Sequence, residues 1–113
     1  MLSLKRRREL RGRVAAGFAY LMAKLPRGWQ KRINLNNLNM GNSTLCMLGE
    51  LYGDYAKGRD ILFADCHDRD AMAKALGFDA ESETNANSIT AEYGLLTREW
   101  RAAYRRGQAR KQR

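Results

Sequence analysis

An all-α fold, a small single-domain bundle of about four helices with irregular connections, is what this sequence predicts, and three observations carry it. Apolar residues recur at three-and-four spacing in separate stretches of the chain. Helix stops follow those stretches: Pro26 with Gly28, then Gly58, then Gly77. No stretch shows a sustained alternation of β-branched residues, so a short strand pair around Ile33 or Ile61 is the one alternative left open. At 113 residues a second core would leave each half too little apolar surface to bury, and one domain is expected. Apolar content of 44% and charged content of 29% are ordinary globular values, which argues against wholesale disorder.

The first helix is expected over residues 4–25, where Leu10, Val14, Phe18, Leu21, Met22 and Leu25 make an amphipathic stripe. Gly12 and Gly17 each weaken it by about 1 kcal/mol relative to Ala, so its first basic turns are expected to fray. The next segment holds Trp29, Ile33, Leu35, Leu38 and Met40 among five asparagines, which favour turns, and reads as an irregular but packed connection. Ser43 or Thr44 can cap a second helix in which Leu45, Leu48, Leu51, Tyr52 and Tyr55 line one side, with Cys46 and Met47 extending the stripe. Residues 60–70 form a short acidic segment, and residues 71–76 a third helix closed by Gly77. Residues 79–90 have little to bury and read as a long loop. Thr97 then caps a last helix that buries Leu96, Trp100, Ala103 and Tyr104. In domain terms, residues 1–13 are a basic, helical but frayed extension, 14–106 the helical domain, and 107–113 a disordered basic tail.

No apolar run approaches the roughly 20 residues of a bilayer-spanning helix, since Gly17, Tyr20 and Lys24 interrupt residues 14–25. Arg11 and Arg13 crowd that stretch and no clean small-x-small site follows, so a retained N-terminus and a cytoplasmic location in a bacterial host cell are expected. Cys46 and Cys66 are too few for a disulfide-stapled scaffold, and reduced thiols are the default.

Between Trp29 and Gly58 the runs GWQKRINLNNLNM and LCMLGELYGDYAKG, followed by LGF at 76–78 and YGLLTREWR at 93–101, resemble a group of small proteins common in actinobacterial phages and prophages. The likeness covers roughly residues 28–102 and implies origin more than function. The chain departs from that pattern in the long basic helix ahead of Trp29 and the polar insertion at 79–90. Many members of the group carry a second cysteine near the position of Cys46. Thr44 and Leu45 stand there in this chain, so a paired-thiol site is not expected.

The run DCHDRD places Asp65, Cys66, His67, Asp68 and Asp70 in one loop, yet zinc sites draw ligands in spaced pairs or from fixed elements, and a solvated acidic loop is the preferred reading. His67 is the only histidine, no nucleophile elbow is present, and no glycine spacing cradles phosphate. Neither catalytic residues nor a metal or other cofactor are therefore expected, and the chain is not read as an enzyme. Cys46 reads as a small core residue, and Tyr52, Tyr55, Tyr93, Trp29, Trp100 and Phe78 as core rather than a base-stacking platform.

The charge layout is the strongest functional signal. Of the net +9, residues 1–32 contribute +9 and residues 98–113 contribute +6, around a middle of −6. Lys5, Arg6, Arg7, Arg8, Arg11 and Arg13 at the front, with Arg98, Arg101, Arg105 and Arg106 at the back, are the candidate contacts to phosphate. The expected partner is nucleic acid, with an acidic surface of a host or phage protein as the alternative. Membrane-surface binding ranks lower because the charges gather at one end of residues 4–25. An exposed apolar side on residues 14–25 would call for a homodimer to cover it.

Overall fold

A computed structural model describes residues 2–81 and 86–111 as five α-helices, with no strand among the described residues. Helix α1 spans Leu4–Lys24 and begins where the Ser3 side chain accepts a hydrogen bond from the Arg6 amide at 3.0 Å. Its buried stripe is Leu10, Val14, Gly17 and Leu21. Pro26 follows its end, and a 3-10 turn, Trp29–Arg32, leads into the connection. Helices α2 (Met47–Tyr52), α3 (Tyr55–Leu62) and α4 (Arg69–Ala75) are short, and α5 (Ala86–Lys111) is the longest element.

The single helix expected after Thr44 is in fact two. Gly53 adopts φ 107°, a left-handed-side conformation that stops α2, and the Asp54 carboxylate restarts the chain by accepting from the Lys57 amide at 2.8 Å. The cap of α2 is Cys46, whose Sγ accepts from the Gly49 amide at 3.3 Å, and not Ser43 or Thr44. The acidic segment likewise dissolves into elements: Asp60 lies inside α3, and Asp68 caps α4 by accepting from Ala71.

The last helix starts at Ala86, eleven positions ahead of Thr97. Thr97 sits mid-helix because its hydroxyl has two other uses: it donates to the Tyr93 carbonyl one turn back at 2.8 Å and accepts from the Met40 amide at 2.9 Å. Of the long loop expected over 79–90, residues 86–90 are therefore helix, and 82–85 lie outside the described residues. Helix also continues through Gly107 to Lys111, where a disordered tail was expected, and residues 112–113 lie outside the described residues. At the other end α1 is helical from Leu4 rather than frayed, since Arg6 is tied to α5 as described below.

The connection between Arg32 and Met47 is irregular and packed, as its composition predicts. Ile33, Leu38 and Met40 are buried, while the Asn34, Asn39 and Asn42 side chains accept from amides two residues on and hold the turns. Beneath it an aromatic chain runs through the core: Tyr20 to Phe63 at 5.5 Å, Phe63 to Phe78 at 5.9 Å, and Phe78 stacked on Trp100 at 5.0 Å.

The tightest joint lies between α1, the turn after α4, and α5. Gly77 adopts φ 77°, its carbonyl accepts from the Trp100 indole at 2.7 Å, and a Cβ at Gly17 would stand 1.9 Å from the Leu76 carbonyl oxygen. Gly17 is thus a glycine of close approach, whereas a Cβ at Gly12 would meet nothing within 4 Å. Gly17→Ala should therefore destabilise by about 3 kcal/mol, because a backbone oxygen cannot yield. Gly12→Ala should stabilise by about 0.5–1 kcal/mol through helix propensity alone, and urea unfolding of both variants checks the opposite signs.

Candidate nucleic-acid interface

Helices α1 and α5 lie side by side and parallel. Arg6 reaches Glu92, Arg11 reaches Glu99, and Phe18 lies against Gly107, so the two helices climb together with a constant offset. This arrangement decides which cations are available.

Four of the ten expected phosphate contacts are spent inside the fold. Arg6 donates through Nε and Nη2 to the two oxygens of Glu92 at 3.0 and 2.9 Å, and Nη1 holds Glu9 at 3.0 Å. The Glu92 side chain is only 3% exposed and also accepts from the Glu81 amide, and its hydrogen bond raises the Arg6 pKa. Arg13 pairs with Glu81 at 2.6 Å. Arg11 sits 3.6 Å from the Glu99 carboxylate, although its own side chain stays 69% exposed. Arg101 is a structural tie: Nε and Nη2 donate to the Leu35 and Leu38 carbonyls, both at 3.1 Å, and anchor the irregular connection to α5.

Lys5, Arg7, Arg8, Arg98, Arg105 and Arg106 remain, all exposed and without an ion pair among the described residues. The parallel offset sets Arg98 level with the second basic turn of α1, and Arg105 and Arg106 level with Phe18. The cations consequently form a band running obliquely across two adjoining helices, over a rise of about 20 Å at 1.5 Å per residue. Of the six aromatic residues weighed as a stacking platform, Trp29, Phe78 and Trp100 are buried, and Tyr52, Tyr55 and Tyr93 are partly so.

The loop rich in possible metal ligands is organised by ion pairs. Arg59 holds Asp60 at 3.0 Å and Asp70 at 2.8 Å, which lowers the Asp60 pKa, and Arg69 lies 3.5 Å from Asp60. Among the described residues no three His, Cys, Asp or Glu side chains gather as a metal would need. Cys46 is buried, and burial pushes its thiol pKa up, away from a reactive thiolate.

One polar cluster has no signature in the sequence. The phenols of Tyr93 and Tyr55 both donate to the Asp79 carboxylate, at 2.6 and 3.4 Å, beside a cavity of about 240 Å³ that Cys46 also lines. Burial raises both phenol pKa values, with Asp79 adding to it. Only the tertiary fold brings these three residues together, from α3, the turn after α4, and α5. Among the described residues no helix is long and apolar enough to cross a membrane. Compared with family models, curated proteins and solved structures, the chain matches none.

Two measurements follow from these contacts. Arg6→Ala should cost about 2–3 kcal/mol by leaving Glu92 buried without its cation, and adding Glu92→Leu should recover part of that loss in a double-mutant cycle. The tyrosine pair makes stability fall on the alkaline side. A phenol whose pKa is raised by folding keeps its full contribution below the ordinary value of 10.0 and loses it as pH climbs above, because the unfolded chain ionises first. Tyr93→Phe should flatten the drop in melting temperature above that pH.

Proposed function

We propose that this chain is a non-enzymatic accessory protein of phage type that binds nucleic acid through the basic band of α1 and α5, without reading its sequence. What supports this reading is a single observation: Lys5, Arg7, Arg8, Arg98, Arg105 and Arg106 are exposed, have no ion pair among the described residues, and are carried on two parallel neighbouring helices rather than on separate ends of the molecule. Five of the six are arginines, whose planar forks suit phosphate oxygens and whose charge displaces the counterions condensed on a polyanion.

Sequence-independent contact is favoured because the side chains that read base edges are occupied elsewhere. Asn34, Asn39 and Asn42 hold turns, and Gln30 is buried. Trp29, Phe78 and Trp100 are buried and offer no stacking surface to unpaired bases, so the duplex backbone suits the band better than unstacked single strands.

The test is a salt series of fluorescence-anisotropy titrations on mixed-sequence duplex and single-stranded DNA. Wild type should bind the duplex at micromolar concentration or better, with affinity falling steeply as salt rises. Changing Arg8, Arg98 and Arg105 together to Gln should weaken binding at least tenfold and reduce the salt slope by about three. Arg101→Gln should instead lower the melting temperature. Absence of duplex binding by the wild type overturns the reading.

A further inference from the structure

Between Arg13 and Lys24 the α1 surface carries no charged side chain. Past Arg13 its exposed side holds Ala15, Ala16, Ala19, Met22 and Ala23. Between α1 and α5 these small residues leave a groove of about 610 Å³, lined by Ala15, Phe18, Ala19, Met22 and Ala103, with Arg106 at its edge. Gly107 keeps the groove open from the α5 side, since a Cβ there would strike the Phe18 ring at 2.6 Å. A second cavity of about 530 Å³ adjoins it through Met22 and is lined by Leu25, Trp29, Gln30 and Arg27.

We infer that this trough from Ala15 to Trp29 is the docking site for an amphipathic helix of a protein partner, apolar on one side and acidic on its flanks. Its length and chemistry both point there. Ala15 to Lys24 covers about 13 Å of helix rise, some two and a half turns, and Ala15, Ala19 and Ala23 at four-residue spacing let a second backbone approach closely. Arg106 and Arg27 stand one at each cavity, and no acidic side chain lines either, so the complementary flanks are carboxylates. The surface is concave with cations at the edge, which suits a cylinder laid into it better than a bilayer.

An unsatisfied group at the far end also calls for a partner. Gln30 is only 4% exposed, its Oε1 has no hydrogen-bond partner among the described residues, and its Nε2 is held only by the Met22 sulfur at 3.3 Å. Met22 is itself 49% exposed on a flexible unbranched chain. A docking helix that displaces the Met22 side chain covers its apolar surface and opens the Gln30 amide to a donor of its own.

This surface shares Arg106 with the basic band, but its apolar floor lies outside that band and its test does not depend on nucleic acid. The probe is a labelled fourteen-residue helical peptide with leucines at i, i+4, i+7 and i+11 and glutamates on both flanks. Companion peptides carry lysine in place of glutamate, or alanine in place of leucine. The glutamate–leucine peptide should bind the full chain in the micromolar range, and each companion about tenfold more weakly. Ala19→Glu, inside the groove, should abolish binding. Ala16→Glu, exposed on the same helix but lining neither cavity, should leave it within about twofold. Equal loss in the two variants, or no preference among the peptides, overturns the proposal by reducing the contact to general charge attraction. Self-association that Ala19→Glu breaks, or anionic vesicle binding that it abolishes while the peptide fails to bind, overturns it in favour of a second copy or a membrane.

Discussion

The contact of the Leu76 carbonyl with Gly17, secured by the Trp100 indole on the neighbouring Gly77 carbonyl, is the constraint on which the other packing depends. It brings the turn after α4 onto α1 and fixes α5 against both. Phe78 can stack on Trp100, and Phe63 and Tyr20 can continue that chain of rings, only because the backbone of residues 76–78 sits this low on α1. Leu10, Leu21 and Leu96 then fill the remaining space and are fully buried. The helix-propensity cost of Gly17, which looks like a defect in an amphipathic helix, is the condition for the core to close.

Where residues act through their neighbours in sequence, the fold was legible. Leu10, Val14 and Leu21 of the α1 stripe, the Gly77 stop, the asparagine-built connection and the core role of Trp29, Phe78 and Trp100 follow from spacing and turn chemistry. Met22, expected in that stripe, is instead 49% exposed, and Gly58, expected as a stop, lies buried inside α3. The reading failed where a short polar side chain had two competing uses. Thr97 carries the composition of an N-cap, but its hydroxyl serves Tyr93 and Met40, contacts that span the connection and cannot be seen along the chain. Gly53 followed by Asp54 is a stop and a start in adjacent positions, and the continuing leucine and tyrosine stripe concealed it.

The candidate surface divides in the same way. Sequence located the cations, because clustering is visible in composition, but could not say which of them have partners in the fold. Arg6 and Arg13 are indistinguishable in sequence from Arg7 and Arg8, yet Glu92 and Glu81, both far along the chain, claim the first two. Arg101 differs from Arg98 and Arg105 in facing the carbonyls of Leu35 and Leu38. The Tyr55, Asp79 and Tyr93 cluster and the groove beside Ala19 had no signal to find, since each is made by elements far apart in sequence.

Because α1 and α5 run in the same direction, their peptide dipoles add instead of cancelling. Helices of 21 and 26 residues each place about half a positive charge at the N-terminal end and half a negative charge at the other. The positive pole coincides with Lys5, Arg7 and Arg8, while Arg105 and Arg106 sit toward the opposite pole and offset the negative one. Both N-terminal poles therefore fall together at the Ser3 end, and both C-terminal poles at the end that carries Lys24, Arg105 and Arg106. On the proposed reading, a phosphate held by Lys5, Arg7 and Arg8 has two helix N-termini behind those side chains, and the fixed dipoles add to the attraction of the mobile charges.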